Sequence, residues 1–518
     1  YPLLTVLLLS MTSMLSAQST LSFFFSWELM TLSSWLLIAL RDNAGAAGKD
    51  DPDSPVKDSP ALSYLLFSLG SAYFILAGFA LAYGATDSIL LSALADVGDL
   101  SIPVILLLAT GFLIKLGGFG FHIWLPGAYA ESHDSFTAML SSVVSKAGIF
   151  GLIVTGSYLA GHPQTGFDPY YLLGWAGILT ATFGALMAVF QEDIKKLVAY
   201  SSMGQLGYIV TGMALMSHLG WVTALYMTVN HFLFKGILFL SIAGIILRTN
   251  ERMMYRMGGL IKNMPFTFVF SMIAIIAMSG VPPLTGFGGK WMLFNGLMEQ
   301  GWYWIAALAF FSSAVAFLYM FRFLHTVFLG QRKLEHAGLR DAPMIVLLPQ
   351  AIMVVIIMVI SAYPKLLLDV LSVAVAPWIG GELVWEGNAL LAHYGYWNAP
   401  MIMMVVGGVW LMPLIVLLLV TMTLNIQKVE QFNIVYAAER PNRPEDTHFA
   451  HNFFAHYDRA LGFLVRPRAT AFWNTVVEWS HTFGSSLRIF YNGNGQTYAL
   501  FILIYFVAMF LVNGGLNQ

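Results

Sequence analysis

Ile114-Lys115-Leu116-Gly117-Gly118-Phe119-Gly120-Phe121-His122-Ile123-Trp124-Leu125-Pro126 is an apolar stretch interrupted by three glycines and closed by a proline. A second stretch of the same make, Ser279-Gly280-Val281-Pro282-Pro283-Leu284-Thr285-Gly286-Phe287-Gly288-Gly289-Lys290, follows about 170 residues later. Proline removes a backbone donor and glycine weakens a helix, so both segments are expected to be discontinuous. Broken backbone at membrane depth is tolerated only where it is buried in protein or lines a wet cavity. Paired breaks in two corresponding halves point to an inverted-repeat transporter with its sites near the midplane. The plainer alternative is a pair of packing kinks. A lysine beside each break, Lys115 and Lys290, favours the first reading.

Composition places these breaks in a membrane. The 518-residue chain is 58% hydrophobic with a mean hydropathy of +0.73, and only 10% of it is charged. Runs such as Leu62–Tyr83, Ile102–Ile114 and Met401–Val420 approach or match the roughly 20 apolar residues that span a bilayer. A barrel would show short alternating segments instead, so the expected class is an all-α polytopic membrane protein. A net charge of −2 argues for no nucleic-acid partner. The chain has no cysteine, which excludes disulfides and cysteine-ligated iron–sulfur clusters on it.

Spanning helices are expected near 1–16, 21–40, 61–84, 102–121, 135–157, 171–190, 197–216, 220–247, 265–297, 303–326, 343–362, 401–422 and 497–513. Alternating the loops puts Arg41, Lys49, Lys57, Lys195, Lys196, Arg248, Arg252, Arg256, Lys262, Arg332, Lys333 and Arg340 on one side, with the basic residues of 423–496. The other side receives only Lys365. By the positive-inside rule the basic side is cytoplasmic, as in a prokaryotic inner membrane. The domain reading follows: a first repeat over 1–160, a second, inverted repeat over 165–330, further helices over 343–422, and a last span at 497–513. Within 423–496, Glu439–Asp446 reads as a loop. Trp473, Val476, Val477, Phe483 and Leu487 then recur at near-helical spacing, as in an interfacial amphipathic helix; a small cytoplasmic helical hairpin is the alternative. Tyr1 opens directly on an apolar segment without the flank or cleavage site of a signal peptide, so residues are expected to precede it.

Charge inside the spans is the chemical signal. Lys115, Lys146, Lys235 and Lys290 sit in otherwise uncharged apolar helices, where an ammonium costs roughly 2.5–3.5 kcal/mol on the lenient insertion scale. Burial makes an amine's proton exchangeable, so the four suggest a proton path within the membrane. Glu28 is the only acid placed inside a span, and a buried carboxylate needs a partner. His231 and Lys235 lie one turn apart on one helix face. Each has a plainer reading. Helix-end lysines snorkel, Lys290 could cap a half-helix carbonyl, and His231 could be a core histidine bonded across helices. His122 at a break could relay protons or cap. Asp193, beside Lys195 and Lys196 in a short loop, reads as orientation more than chemistry, and His325 is a further secondary candidate. His448, His451 and His456 carry no metal-site spacing, and no metal or cofactor is expected. The glycines of 117–120 follow no strand and form no nucleotide fingerprint. No catalytic site is expected on the chain itself.

Six segments in one order carry a resemblance: Phe25-Ser26-Trp27-Glu28-Leu29-Met30; the Lys115 stretch ending Trp124-Leu125-Pro126; Ser145-Lys146-Ala147-Gly148; Gln191-Glu192-Asp193-Ile194-Lys195-Lys196-Leu197-Val198-Ala199-Tyr200-Ser201-Ser202; Asn230-His231-Phe232-Leu233-Phe234-Lys235; and Pro282–Lys290. From about Tyr1 to Leu329 the chain resembles the proton-translocating antiporter-like family. That family covers the large A-type and D-type antiporter components of Mrp cation/proton exchangers, the large antiporter-like subunits of respiratory complex I, and relatives in membrane-bound hydrogenases. The resemblance implies two inverted five-helix repeats, each with a broken helix. It implies an ion pair between Glu28 and Lys115, a relay lysine at Lys146, a His231–Lys235 connection and an exit lysine at Lys290. It also implies helices ahead of Tyr1, because the family's glutamate lies on its fifth helix and Glu28 on the second here. Gly127 stands where the family usually carries an acid, and Glu131-Ser132-His133-Asp134 is more polar than the common version. Both departures bear on proton uptake.

The function implied is proton translocation, with Na⁺ exchange left open, by one component of a larger complex that contains other membrane subunits. Protons would enter near Lys146 or Lys115, pass His231 and Lys235, and leave near Lys290, gated by the Glu28–Lys115 pair. Lys290 and the Asn230…Lys235 run look most like the D-type Mrp component and its hydrogenase relatives. A pumping subunit of complex I or a hydrogenase-type redox complex is the alternative, and an inactive scaffold of the same fold the third.

Overall fold

The computed structural model describes residues 2–46, 59–159, 167–329, 336, 338–423, 468–488 and 495–512, in two compact units divided at Leu461. The first unit opens with α1 (Pro2–Leu15), α2 (Thr20–Ala46) and α3 (Pro60–Thr86). It continues with α4 (Ser101–Leu116), α5 (Trp124–Glu131), α6 (Asp134–Met139), α7 (Lys146–Leu159), α8 (Pro169–Val189), α9 (Ile194–Ala214) and α10 (His218–Thr249). Then come α11 (Pro265–Ser279), α12 (Thr285–Glu299), α13 (Tyr303–Leu324), α14 (Met344–Ala362), α15 (Lys365–Val375) and α16 (Ala399–Thr423). The second unit holds α17 (Arg468–Leu487) and α18 (Gly495–Val512). Among the described residues, eight helical stretches are long and apolar enough to cross a membrane; Pro2–Leu15, Pro265–Ser279, Ala399–Pro413 and Tyr498–Met509 are shorter apolar helices. Large apolar side chains stand exposed on α3, α13 and α14, among them Leu66, Phe310 and Ile352, as on a surface solvated by lipid.

Both expected breaks are real and share one construction. α4 stops at Leu116 because Gly117 takes a left-handed cap (φ 70°) that a side chain would strain. The unwound turns before α5 are held by Trp124 Nε1 donating to Ile114 O at 3.0 Å and Phe119 N donating to Thr180 Oγ1 at 2.9 Å. The expected span over 265–297 divides likewise: α11 ends on Gly280 (φ 75°) and α12 restarts at Thr285. The expected span over 135–157 is also interrupted, by a π-helical turn at Leu140–Val144 just before Lys146. Such turns displace one residue from the helical register and recur at functional sites. By contrast α10 runs unbroken for 32 residues.

At the centre lies α9, all of whose residues except Lys196 and Tyr200 are buried. It packs on α8 through small residues: a Cβ at Gly184 would come within 2.7 Å of Gly204 N, and one at Gly207 within 2.4 Å of Ala181 N. Close backbone approach of this kind joins helices where lipid supplies no hydrophobic drive. Gly207→Ala should therefore force the two backbones apart, at a cost of about 1–3 kcal/mol. Thermal unfolding of the detergent-solubilised protein should show the lower midpoint; an unchanged midpoint would mean α8 and α9 can separate freely.

Two elements were not expected from the sequence. α15 is a short amphipathic helix, and Val384–Asn398 forms an antiparallel meander of β1 (Val384–Glu386), β2 (Ala389–Ala392) and β3 (Gly395–Asn398). Trp397 of β3 is buried where a Cβ on Gly288 would lie 2.1 Å from its ring, so the meander is seated on α12. The loop expected at Glu439–Asp446, and His448, His451 and His456, lie outside the described residues.

Candidate functional site

Every acceptor around Lys115 is a neutral hydroxyl. The last turn of α4 carries this lysine, 2% exposed, at a helix end whose carbonyl dipoles favour a cation. Its Nζ donates to Tyr64 Oη at 2.7 Å, Ser68 Oγ at 3.1 Å and Thr31 Oγ1 at 3.2 Å. The ammonium also lies 4.5 Å from the centre of the Tyr64 ring. The expected ion pair with Glu28 is not closed. Glu28, half-buried on α2, leaves Oε1 buried without a hydrogen-bond partner, although it remains close enough to feel the Lys115 charge. The hydroxyls of α2 and α3 reach the ammonium first, and three of them fill its three donors.

A second cluster joins α7, α9 and α10. Lys146 Nζ lies 2.6 Å from His231 Nδ1 and donates to Ser141 O at 2.8 Å, a carbonyl turned by the π-helical segment. His231 is fully buried and within Coulomb range of both Lys146 and Lys235; its Nε2 has no partner with hydrogen-bond geometry. One turn on, Lys235, also fully buried, donates to Val198 O at 3.0 Å and to Ser201 Oγ. His231 and Lys235 thus lie within Coulomb range of one another on α10, and Lys146 contacts His231 directly.

Lys290 forms the third station. From α12 its Nζ reaches back across the break to Ser279 O, the C-terminal carbonyl of α11, at 2.7 Å, and to Ser313 Oγ on α13 at 2.7 Å. It therefore does cap a half-helix, and it also lines a cavity of about 410 Å³ with Trp291, Asn295, Phe310, Ser313 and Tyr394. Tyr394 N donates to Asn295 Oδ1 at 3.0 Å, so the β-meander forms one wall of that cavity.

Residues that sequence reasoning passed over connect these stations. Tyr64 Oη touches Lys115, and Tyr129 lies beside Ser141 and Ser145 and within range of Tyr64, carrying hydroxyls toward Lys146. α9 presents Ser201 to Lys235, Ser202 to Ser141 at 3.0 Å, Gln205 to a small cavity shared with Lys290, and the Tyr208 ring to Lys290 at 5.4 Å. The i, i+4, i+7 spacing of Ser201, Gln205 and Tyr208, which places them on one face of α9, was the available signal.

The secondary candidates lie off this row. His122, 4% exposed, packs its ring 4.7 Å from Phe183, and its Nδ1 has no partner. His325 follows α13 with its ring 6.0 Å from Phe321. Asp193 caps α9, accepting from Lys195 N at 2.8 Å and Lys196 N at 3.3 Å, and receives Arg252 Nη2 at 2.6 Å. Burial opposes charge on Arg252, but Asp193 and Glu131 outweigh it and hold the guanidinium more firmly protonated than usual. Lys195, expected in a loop, is instead buried, donating to Asp134 Oδ1 at 2.8 Å and Ser132 O at 2.9 Å. The polar Glu131–Asp134 segment is thus tied by charge to α9 and the loop after α10. Asp193→Ala removes a cap worth about 1 kcal/mol and should lower the unfolding midpoint while proton flux per assembled complex stays unchanged; a loss of flux would return Asp193 to the path.

Chemically, the arrangement is a set of buried amines and an imidazole, with hydroxyls beside them, enclosed by apolar helices. Among the described residues there is no cluster of His, Asp and Glu that could hold a metal ion.

Comparison with known proteins gives the row its context. The chain is 32% identical over 276 residues to NADH-quinone oxidoreductase subunit N of Desulforudis audaxviator, covering 52% of this chain and 55% of the relative. It is 28% identical over 403 residues to the A-type subunit of the Na(+)/H(+) antiporter of Bacillus subtilis, covering 71% and 48%. To hydrogenase-4 component B of Escherichia coli it is 30% identical over 311 residues, covering 57% and 44%. The chain spans about half the length of these curated relatives. Among solved structures, a chain of the membrane-bound sulfane sulfur reductase, an archaeal respiratory membrane complex, superposes with a TM-score of 0.82 at 27% identity, covering 97% of this chain and 83% of that one. A chain of the Mrp complex from Dietzia superposes at 0.65 and 22% identity, covering 73% and 77%, and shares the fold. The NADH:quinone oxidoreductase/Mrp antiporter transmembrane profile matches residues 17–317, more than half of the sequence, and the chain belongs to that family.

Proposed function

We propose that this chain is a proton-translocating, antiporter-like subunit of a multi-subunit membrane complex. The observation that carries this reading is the direct Lys146–His231 contact, with Lys235 one helical turn on, all enclosed by apolar helices. Packing alone has no need for so many costly charges, whereas a proton path does. Protons would enter from the basic, cytoplasmic side, pass from Lys146 to Lys235, and reach the Lys290 cavity beside the meander. The Glu28–Lys115 region would act as the control element. Two inverted repeats over 1–160 and 165–330 would account for the matched breaks, and α17 would lie along the interface. The setting would be a prokaryotic inner membrane.

The similarity over 97% of the chain to a chain of a respiratory complex, against 73% for the Mrp structure, favours a redox-coupled host over the D-type Mrp exchanger expected from the motifs. The test is gentle purification through this chain, followed by mass spectrometry of its partners and reconstitution in pyranine-loaded proteoliposomes. Co-purifying iron–sulfur subunits with proton flux under an imposed potential would support the reading; small hydrophobic Mrp-type partners with Na⁺-dependent flux would make it a cation exchanger. Complex without proton flux would leave a scaffold.

A further inference from the structure

Among the described residues no hydrogen bond joins Lys235 to Lys290. A cavity of about 10 Å³ adjoins Lys290 and is lined also by Gln205, Asn230, Phe234, Met278 and Gly286, among others. That is about the space one water needs. Asn230 is 2% exposed, and both its amide atoms, Oδ1 and Nδ2, are buried without a hydrogen-bond partner. Two unmet groups on one buried amide are costly, because each forfeits hydrogen bonds it had in water. At the α11–α12 break, whose Met278 and Gly286 line the same cavity, Ser279 Oγ and Thr285 Oγ1 are also buried and unmet, and the Tyr226 hydroxyl faces the Asn230 amide without bonding geometry.

We infer that Asn230, with Gln205, seats a water that bridges the His231–Lys235 pair to Lys290. An amide suits the task because it offers two donors and an acceptor, so the water can be held in either orientation. A bridging proton wire requires that freedom: the water accepts a proton on one side, releases another on the other, and then turns. Phe234 and Met278 keep the site small, and the nearby Lys290 ammonium disfavours a metal cation there. Asn230 is a positioning residue that acts through this water. The inference rests on the proton-translocation reading and adds a site to it.

The test uses the purified complex in proteoliposomes, with proton flux driven by an imposed potassium/valinomycin potential. Asn230→Leu keeps the side-chain size but removes every polar group, and flux should fall at least about tenfold with the complex intact. Asn230→Ser leaves room for an additional water and a hydroxyl to hold it, and should restore at least about a third of the wild-type flux, since water-mediated bonds nearly match direct ones. A purely structural asparagine would not distinguish these two variants. Wild-type flux in Asn230→Leu, or Asn230→Ser no better than Asn230→Leu, overturns the inference. Lys290→Met in the same assay separates the two levels. If it fails while Asn230→Leu behaves as wild type, only the water site falls; if both conduct normally, the translocation reading falls with it. Should Asn230→Leu not assemble, a high-resolution cryo-EM map of the wild-type complex decides: density for a water within bonding distance of Asn230 supports the site. Its absence from a map that resolves other buried waters overturns it.

Discussion

Lys235→Met should lower proton flux through the assembled complex by at least about a hundredfold, the scale on which a positioned proton-transfer group acts. Methionine roughly keeps the length and volume of the side chain, so α9 and α10 stay packed. What disappears is the exchangeable site between His231 and the Lys290 side. Val198 O and Ser201 Oγ lose their donor, which makes a modest fall in stability expected as well. Lys235→Arg distinguishes a relay from a fixed charge. Guanidinium keeps its proton under all ordinary conditions, so it preserves the charge and blocks the transfer. Both variants should fail alike in the proteoliposome assay. Near wild-type flux in Lys235→Arg would mean that Lys235 acts only as a counter-charge, and the relay through this helix would be wrong.

The breaks were legible because glycine and proline act locally: Gly117 and Gly280 cap their half-helices wherever the rest of the chain lies. The buried lysines were legible for a related reason, since cost in hydrocarbon depends on depth more than on neighbours. Their partners were not. The closure of Lys115 by Tyr64, Ser68 and Thr31, in place of Glu28, depends on which helix comes nearest, and hydroxyls are too common in sequence to single out. Lys195 illustrates the same limit, because a lysine after an N-cap reads as loop until Asp134 and Ser132 O are found around it. The π-helical turn before Lys146 left no sign in Leu140-Ser141-Ser142-Val143-Val144, although it turns Ser141 O toward the ammonium. The meander escaped notice because its strands are three or four residues long and follow no clean alternation.

Lys115→Ala should abolish coupled transport while leaving assembly intact, and its dependence on Glu28 is the sharper result. In this conformation the ammonium rests on three hydroxyls and one oxygen of the carboxylate, Oε1, is buried without a hydrogen-bond partner. A buried carboxylate oxygen without a partner is a costly arrangement, so closure of the pair is the natural second state of the element. If the two groups work as one device, Glu28→Gln alone should reduce flux about tenfold; wild-type flux in Glu28→Gln would show that the carboxylate takes no part in control. Tyr64→Phe takes away the 2.7 Å acceptor, together with its share in holding the open state, and leaves the ring under the ammonium. It should therefore favour the closed pair and slow transport without abolishing it. A double-mutant cycle on flux, run with Glu28→Gln and Tyr64→Phe, reads this directly. With the charge of Glu28 gone, no closed pair remains for Tyr64→Phe to favour, so its effect should largely vanish in that background. An equal effect in both backgrounds would show that Tyr64 and Glu28 do not compete for the same ammonium.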